Sequence, residues 1–309
     1  MAQGWHPYMR LGINHHLLFP QSFECAETHI RTLPQVLAMD AFEVIDLFVL
    51  DEAYVDQAAL LVAQSGKQAV YNCPLMTAPG LNPHSFDEAI RRATLSEVKR
   101  HIDRAKRIGA RKAVVASGSD PGEADRAAQS MLFADYLAEL CRYAGPGLEL
   151  LIEPFDRSIG KRLLIGSTCE AAAIVELVRK RGTGNLGLLI DMGHIPLMEE
   201  TFDDAIACSA PYTGHVHLGS CVMRNPSDPL YGDMHPPWGY PGGENDVPEL
   251  VLFLSGLFEA GYLGEGKRPT VTLEMRPYPG HSETESVAVF LRKLEEAWRL
   301  IAPERGLPI

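Results

Sequence analysis

A chain of 309 residues, 46% hydrophobic and 22% charged, has the make-up of a globular protein with room for one large core. Its formal net charge of -12 at pH 7 argues against nucleic acid as a partner, because such binders present a basic stripe. Six cysteines with no C-x-x-C pair argue against a disulfide scaffold and lead to an expectation of reduced thiols in a cytoplasmic protein.

Between Met1 and Leu11 no basic region precedes an apolar stretch, so no signal peptide is expected. No apolar run reaches the ~20 residues that cross a bilayer, so no membrane partner is expected.

In chain order, short β-rich runs alternate with amphipathic stretches. Strands are predicted at residues 10–14, 43–48, 68–72, 112–117, 148–153, 186–191, 215–219 and 269–274. Helices are predicted at 22–39, 51–64, 85–108, 122–143, 168–181, 203–207, 248–260 and 283–301. Gly66, Gly109, Gly147, Gly182 and Gly261 fall where helices should stop, as expected of left-handed caps. Strict β–α alternation of this length predicts a single (β/α)8 TIM barrel over 1–309. No Gly-rich dinucleotide fingerprint follows an early strand, which disfavours a doubly wound sheet.

Most βα connections are short, but the one from about 220 to 246 is long and rich in Pro, Gly and aromatics. Such a loop at the C-terminal face of a barrel is expected to form a lid or a substrate wall.

Four late strands carry metal-type ligands near their C-terminal ends. They are Glu153 after Leu150-Leu151-Ile152, Asp191 closing Gly187-Leu188-Leu189-Ile190, His217 in His215-Val216-His217-Leu218, and Glu274 after Thr270-Val271-Thr272-Leu273. In a barrel these ends converge, so the four are expected to hold one divalent ion. Three oxygens and one nitrogen suit Mn²⁺ best, with Mg²⁺, Co²⁺ or Zn²⁺ as alternatives. His215 points the same way as His217 and is expected one layer deeper. His194, just past Asp191, is placed to touch metal-bound substrate. Asp233 and His235 are expected to make polar contacts over the substrate, Trp238, Tyr231 and Tyr240 to pack against it, and Arg276 to contact it or support the ligands. His15 and His16 are read either as pocket lining or as structural.

Glu153, Asp191-x-x-His194, the His215-Val216-His217 strand and Glu274 resemble the sugar isomerase/epimerase superfamily with the xylose-isomerase-like barrel. The resemblance implies that Glu153, Asp191, His217 and Glu274 ligate the metal. It also implies that Glu153 and Glu274 double as the acid/base pair and that His194 contacts a substrate oxygen. Arg157 matches a substrate-contacting arginine of the ketose 3-epimerases. A second one is displaced, with Met223 at its place and Arg224 following. The early-strand histidines of the apurinic endonucleases are absent, the corresponding positions reading Tyr71-Asn72 and Ala116-Ser117.

The loop also resembles that of C-glycoside deglycosidase α subunits, which are lyases that pair with a small β subunit. The expected activity is therefore enolisation of a sugar or polyol-derived ketone by an isomerase or epimerase, with a lyase acting on 3-oxo-C-glycosides as the alternative. The expected partners are a carbohydrate or glycoside substrate and either further copies of the chain or a small β subunit.

Overall fold

The computed structural model describes residues 4–307, so both ends of the expected 1–309 domain lie outside the described residues. Eight parallel strands close into a barrel in sequence order: β1 Arg10–Asn14, β2 Val44–Leu47, β3 Gln68–Asn72, β4 Lys112–Val115, β5 Glu149–Ile152, β6 Leu186–Asp191, β7 Thr213–Leu218 and β8 Thr270–Leu273. The first four helices are α1 His15–Leu18, α2 Ala26–Leu37, α3 Val55–Ser65 and α4 Glu88–Ile108. Next come α5 Glu123–Ala144, α6 Thr168–Arg179, α7 His194–Leu197 and α8 Phe202–Ser209, and then α9 Val247–Glu259 and α10 Glu283–Arg305. The protein is one TIM-barrel domain.

The helices start and stop for local reasons. Asp87 caps α4 by accepting from the Ala89 amide at 2.8 Å, and Gly109 ends it in the left-handed region at φ 82°. Ser282 and Glu285 form a capping box at the start of α10. The expected cap at Gly147 is corrected: the cap of α5 lies two residues earlier, at Gly145, which takes φ 73°.

Strand side chains alternate between two environments. Outward residues join the shell of helix side chains, and inward residues fill the barrel. Val44, Val70, Val114, Leu151 and Leu189 form a separate buried cluster across the interior, each contributing about 1.5–3 kcal/mol by burial. β1 contributes Gly12 to this lining, where a Cβ would stand 2.8 Å from that of Val44. This apolar plug forms the floor, and the next inward layer toward the strand C-termini is polar.

The expectation of uniformly reduced thiols is also corrected. Cys169 of α6 and Cys208 of α8 are joined as a disulfide with their Cα atoms 5.1 Å apart, because the two helices pack side by side. Cys25, Cys73, Cys141 and Cys221 are free.

Candidate metal centre and active site

Register brings the expected ligands to one level. Asp191 of β6 pairs with His217 of β7, and His217 pairs with Thr272 of β8, whose chain then turns up into Glu274. Glu153 follows the last residue of β5, and its amide donates to Val115 of β4 at 3.1 Å. Glu153, Asp191, His217 and Glu274 each offer a donor atom within 4.8 Å of the others. His217 Nδ1 lies against Glu274 Oε2 and 3.9 Å from Glu153 Oε1.

These donors fit a cation. Asp191 Oδ2, His217 Nδ1 and Glu274 Oε2 are buried and form no proper hydrogen bond. Buried polar atoms are almost always satisfied, so three orphans aimed at one point mark a place for an ion. Their opposite atoms are anchored. Asp191 Oδ1 accepts from the Gly193 amide at 2.6 Å, and Glu274 Oε1 accepts from Asn14 Nδ2 at 2.7 Å.

Asp46 of β2 holds His217 from below, a residue that sequence reasoning missed. Its Oδ2 lies 3.0 Å from His217 Nε2 and 3.1 Å from His215 Nε2, and its Oδ1 accepts from Thr272 at 2.6 Å. His215 thus sits one layer deeper than His217, as expected. Burial alone would raise the Asp46 carboxyl, but the two histidines hold it well below the usual carboxylate range. An ionised carboxylate on Nε2 fixes which nitrogen of His217 faces the site. The sequence signal was a lone acid inside Val44-Ile45-Asp46-Leu47.

The long loop supplies the opposite side. Asp233 Oδ1 lies 3.0 Å from His194 Nε2 and 2.7 Å from His235 Nε2. The other nitrogen of His194 faces the Pro154 carbonyl at 3.2 Å. Both nitrogens therefore donate, and His194 is held as a cation. Burial would lower its pKa, but Asp233 and Asp191 raise it well above the ordinary value. Without a metal, Glu153 is raised to about 8 by burial, with Glu274 and Asp191 adding to the effect. Glu274 is held at about 2, because His217 and His235 outweigh its burial.

These groups open on a cavity of about 520 Å³. Its polar lining includes Asn14, Asn72, Glu153, Lys161, His194, Asp233, His235, Glu274 and Arg276. The apolar side is formed by Leu17, Pro20, Phe23, Phe48, Leu75 and Phe155. His16 lines it as well, while His15 lies buried behind. Arg276 is fixed by donation from Nε to the Met234 carbonyl at 2.8 Å. Lys161 lies 3.4 Å from Asp233 and was not anticipated.

Five expected substrate contacts lie elsewhere. Arg157 is captured by Glu170 in the first turn of α6 and by the Leu164 carbonyl, and Lys161 is the cation of its loop that lines the cavity. Arg224 sits on the outer face of the loop, paired with Glu244 at 2.7 Å. Trp238 is wholly buried, edge-on to Phe290, and donates to the Gly219 carbonyl at 3.3 Å. The loop is pinned rather than loose: Asn245 donates to the carbonyls of Met192 and Gly219, and Tyr278 donates to that of Trp238. It forms a fixed wall. Tyr231 and Tyr240 are absent from the lining; Phe23, Phe48 and Phe155 provide the aromatic faces.

A family model described as a xylose isomerase-like TIM barrel matches residues 35–300. A comparison with curated protein sequences gives no match. Among solved structures, an L-ribulose 3-epimerase superposes with a TM-score of 0.70 at 19% identity, over 94% of this chain and 96% of that one. The IolI protein with a bound zinc atom gives 0.68 at 16% identity, over 96% and 99%. The 3-keto-D-glucoside 4-epimerase from E. coli gives 0.62 at 14% identity, over 96% and 99%. At such identities the likeness is one of fold.

Proposed function

Because the chain belongs to the xylose isomerase-like TIM-barrel family, we propose that it is a divalent-metal-dependent isomerase or epimerase that enolises a sugar or polyol-derived ketone. The observation that carries this reading is the convergence of orphaned donors from Asp191, His217 and Glu274 with Glu153 on one point, at the edge of a cavity that Glu153 and Glu274 line. Glu153, Asp191, His217 and Glu274 would hold the ion, Mn²⁺ by the balance of oxygen and nitrogen donors. When bound, it supplies Lewis-acid stabilisation of charge on adjacent substrate oxygens.

The chain's own groups do the remainder. Glu153 and Glu274 approach the cavity from β5 and β8, which lie apart on the barrel wall, so one can take a carbon-bound proton and the other return it. His194, donating to Asp233 and to the Pro154 carbonyl, presents a fixed positive charge beside the carboxylates and the substrate oxygens. Asp233, His235, Lys161 and Arg276 complete the polar side. No covalent nucleophile is required. Cys73 lines the cavity, but burial pushes its thiol up to about 12, far from a reactive thiolate.

The apolar side of the cavity favours a second reading. Phe23, Phe48 and Leu75 offer a surface that a bare polyol does not need and that an aglycone would cover. The same enolisation would then lead to cleavage of a 3-oxo-C-glycoside, with a small partner chain.

Incubation with a panel of ketoses in deuterium oxide tests the choice. Deuterium incorporation at carbon beside the carbonyl of a ketose supports the isomerase or epimerase. Release of free aglycone from a 3-oxo-C-glycoside, with no ketose labelled, overturns it in favour of the lyase.

A further inference from the structure

A second cluster of potential ligands lies behind the apolar side of the cavity. His15 and His16 stand where β1 turns into α1, and His29 projects from α2 toward them. All three are buried, with ring centroids 4.7, 4.9 and 5.1 Å apart. One nitrogen from each lies within 4.8 Å of the others. The surroundings are aromatic: Phe48 stacks on His16 at 4.0 Å, and Phe19 meets His15 edge-on at 5.7 Å.

The hydrogen bonds assign one tautomer. The Thr32 hydroxyl spends its single hydrogen on the Thr28 carbonyl at 2.7 Å, with the His29 carbonyl at 3.2 Å. Toward His15 Nε2, 2.8 Å away, it can only accept. His15 therefore carries its proton on Nε2 and turns a bare lone pair on Nδ1 inward. That Nδ1 and the Nε2 of His29 are both buried without a hydrogen-bond partner. A histidine held through one nitrogen by a fixed acceptor, with the other left bare, is the arrangement in which imidazole binds metals. Burial also lowers the basicity of the cluster, His16 to about 3 and His29 to about 4, so the rings are neutral, as metal ligation requires.

We propose that His15, His16 and His29 form a second metal site, distinct from the carboxylate centre and suited to a divalent ion that prefers imidazole, such as Zn²⁺. His16 Nδ1 is now bonded to the Ser22 hydroxyl at 2.8 Å and would exchange that bond for the ion. Metal–nitrogen distances near ~2.0–2.1 Å require the three rings to draw together slightly. The site would clamp α1 to α2, and with them His16, Leu17, Pro20 and Phe23, which line the cavity. Asn14 joins the two sites, because its side chain donates to Glu274 and accepts from the His16 amide. The inference stands independently of the reaction proposed above.

The test is zinc stoichiometry after chelation, dialysis against zinc and removal of free metal. Wild type should retain about two equivalents, while His29→Gln and His217→Ala should each retain about one. Wild type holding about one equivalent that His217→Ala abolishes would overturn the proposal and leave the three rings to a buried water. Two equivalents retained by His29→Gln would overturn it equally. Should His29→Gln fail to fold, His217→Ala decides: about one residual equivalent supports the site, and none contradicts it.

Discussion

At the scale of residues, the centre separates groups that touch the substrate from groups that hold them. Glu153→Gln and Glu274→Gln keep size and remove a proton carrier, so each should lower kcat by about 10²-fold or more; steady-state turnover on the labelled ketose checks this, and near-wild-type kcat in either contradicts the assignment. Asp46 acts through His217. Asp46→Asn leaves a hydrogen-bonding group but removes the charge on Nε2, so metal affinity should fall about 10- to 100-fold. Equilibrium metal titration reads that loss without any substrate, and unchanged affinity would mean that Asp46 serves only the fold. Asp46 went unnoticed because it approaches His217 across the barrel, between strands that are not neighbours. Arg157 was misplaced for the opposite reason: a local competitor, Glu170, captures it before it reaches the cavity.

At the scale of elements, the long loop after β7 reads in the sequence as either a lid or a wall, and in the structure it is a wall. Pro, Gly and aromatic content marks a functional loop but not which aromatics turn inward. Trp238 turns wholly inward, so Trp238→Ala should cost about 3–5 kcal/mol of stability, measured by urea unfolding.

The pairing of β3 with α4 makes stability depend on pH. The Val49 amide donates to the Tyr71 hydroxyl at 3.3 Å, and that hydroxyl lies 2.9 Å from His101 Nδ1. Burial, with Arg104 and Arg100, lowers His101 from 6.5 to about 4. Between those values the unfolded chain binds more protons than the folded one, so stability rises with pH. It is complete above about 6.5 and is lost as pH falls toward 4, by about 2–3 kcal/mol. Urea midpoints across that window should show the slope, and His101→Gln should reduce it by the share of one proton, the buried His16 and His29 supplying the remainder; an equal slope in the variant contradicts this origin.

At the scale of the whole molecule, the barrel was legible because each late strand is an apolar run that ends in a ligand. The boundaries of β1, β3 and β6 match the reading of the sequence residue for residue. What the sequence hid depends on closure. The disulfide between Cys169 and Cys208, the pocket face of His16 and the floor of valines and leucines all follow from elements distant in the chain.

Closure also places the buried carboxylates of Asp191 and Glu274 beside the partly buried Glu153, a crowding that a cation relieves. Metal should therefore stabilise the fold, by about 2.7 kcal/mol at a hundredfold excess over Kd, seen as a rise in thermal midpoint that chelation reverses.

The most direct test is solvent deuterium exchange into a ketose by chelated enzyme, before and after Mn²⁺ is restored. Metal-dependent exchange in wild type, absent from Glu153→Gln under the same loading, is the expected result. Exchange that persists undiminished in the chelated protein, or survives in Glu153→Gln, would contradict a metal-assisted carboxylate mechanism at this centre.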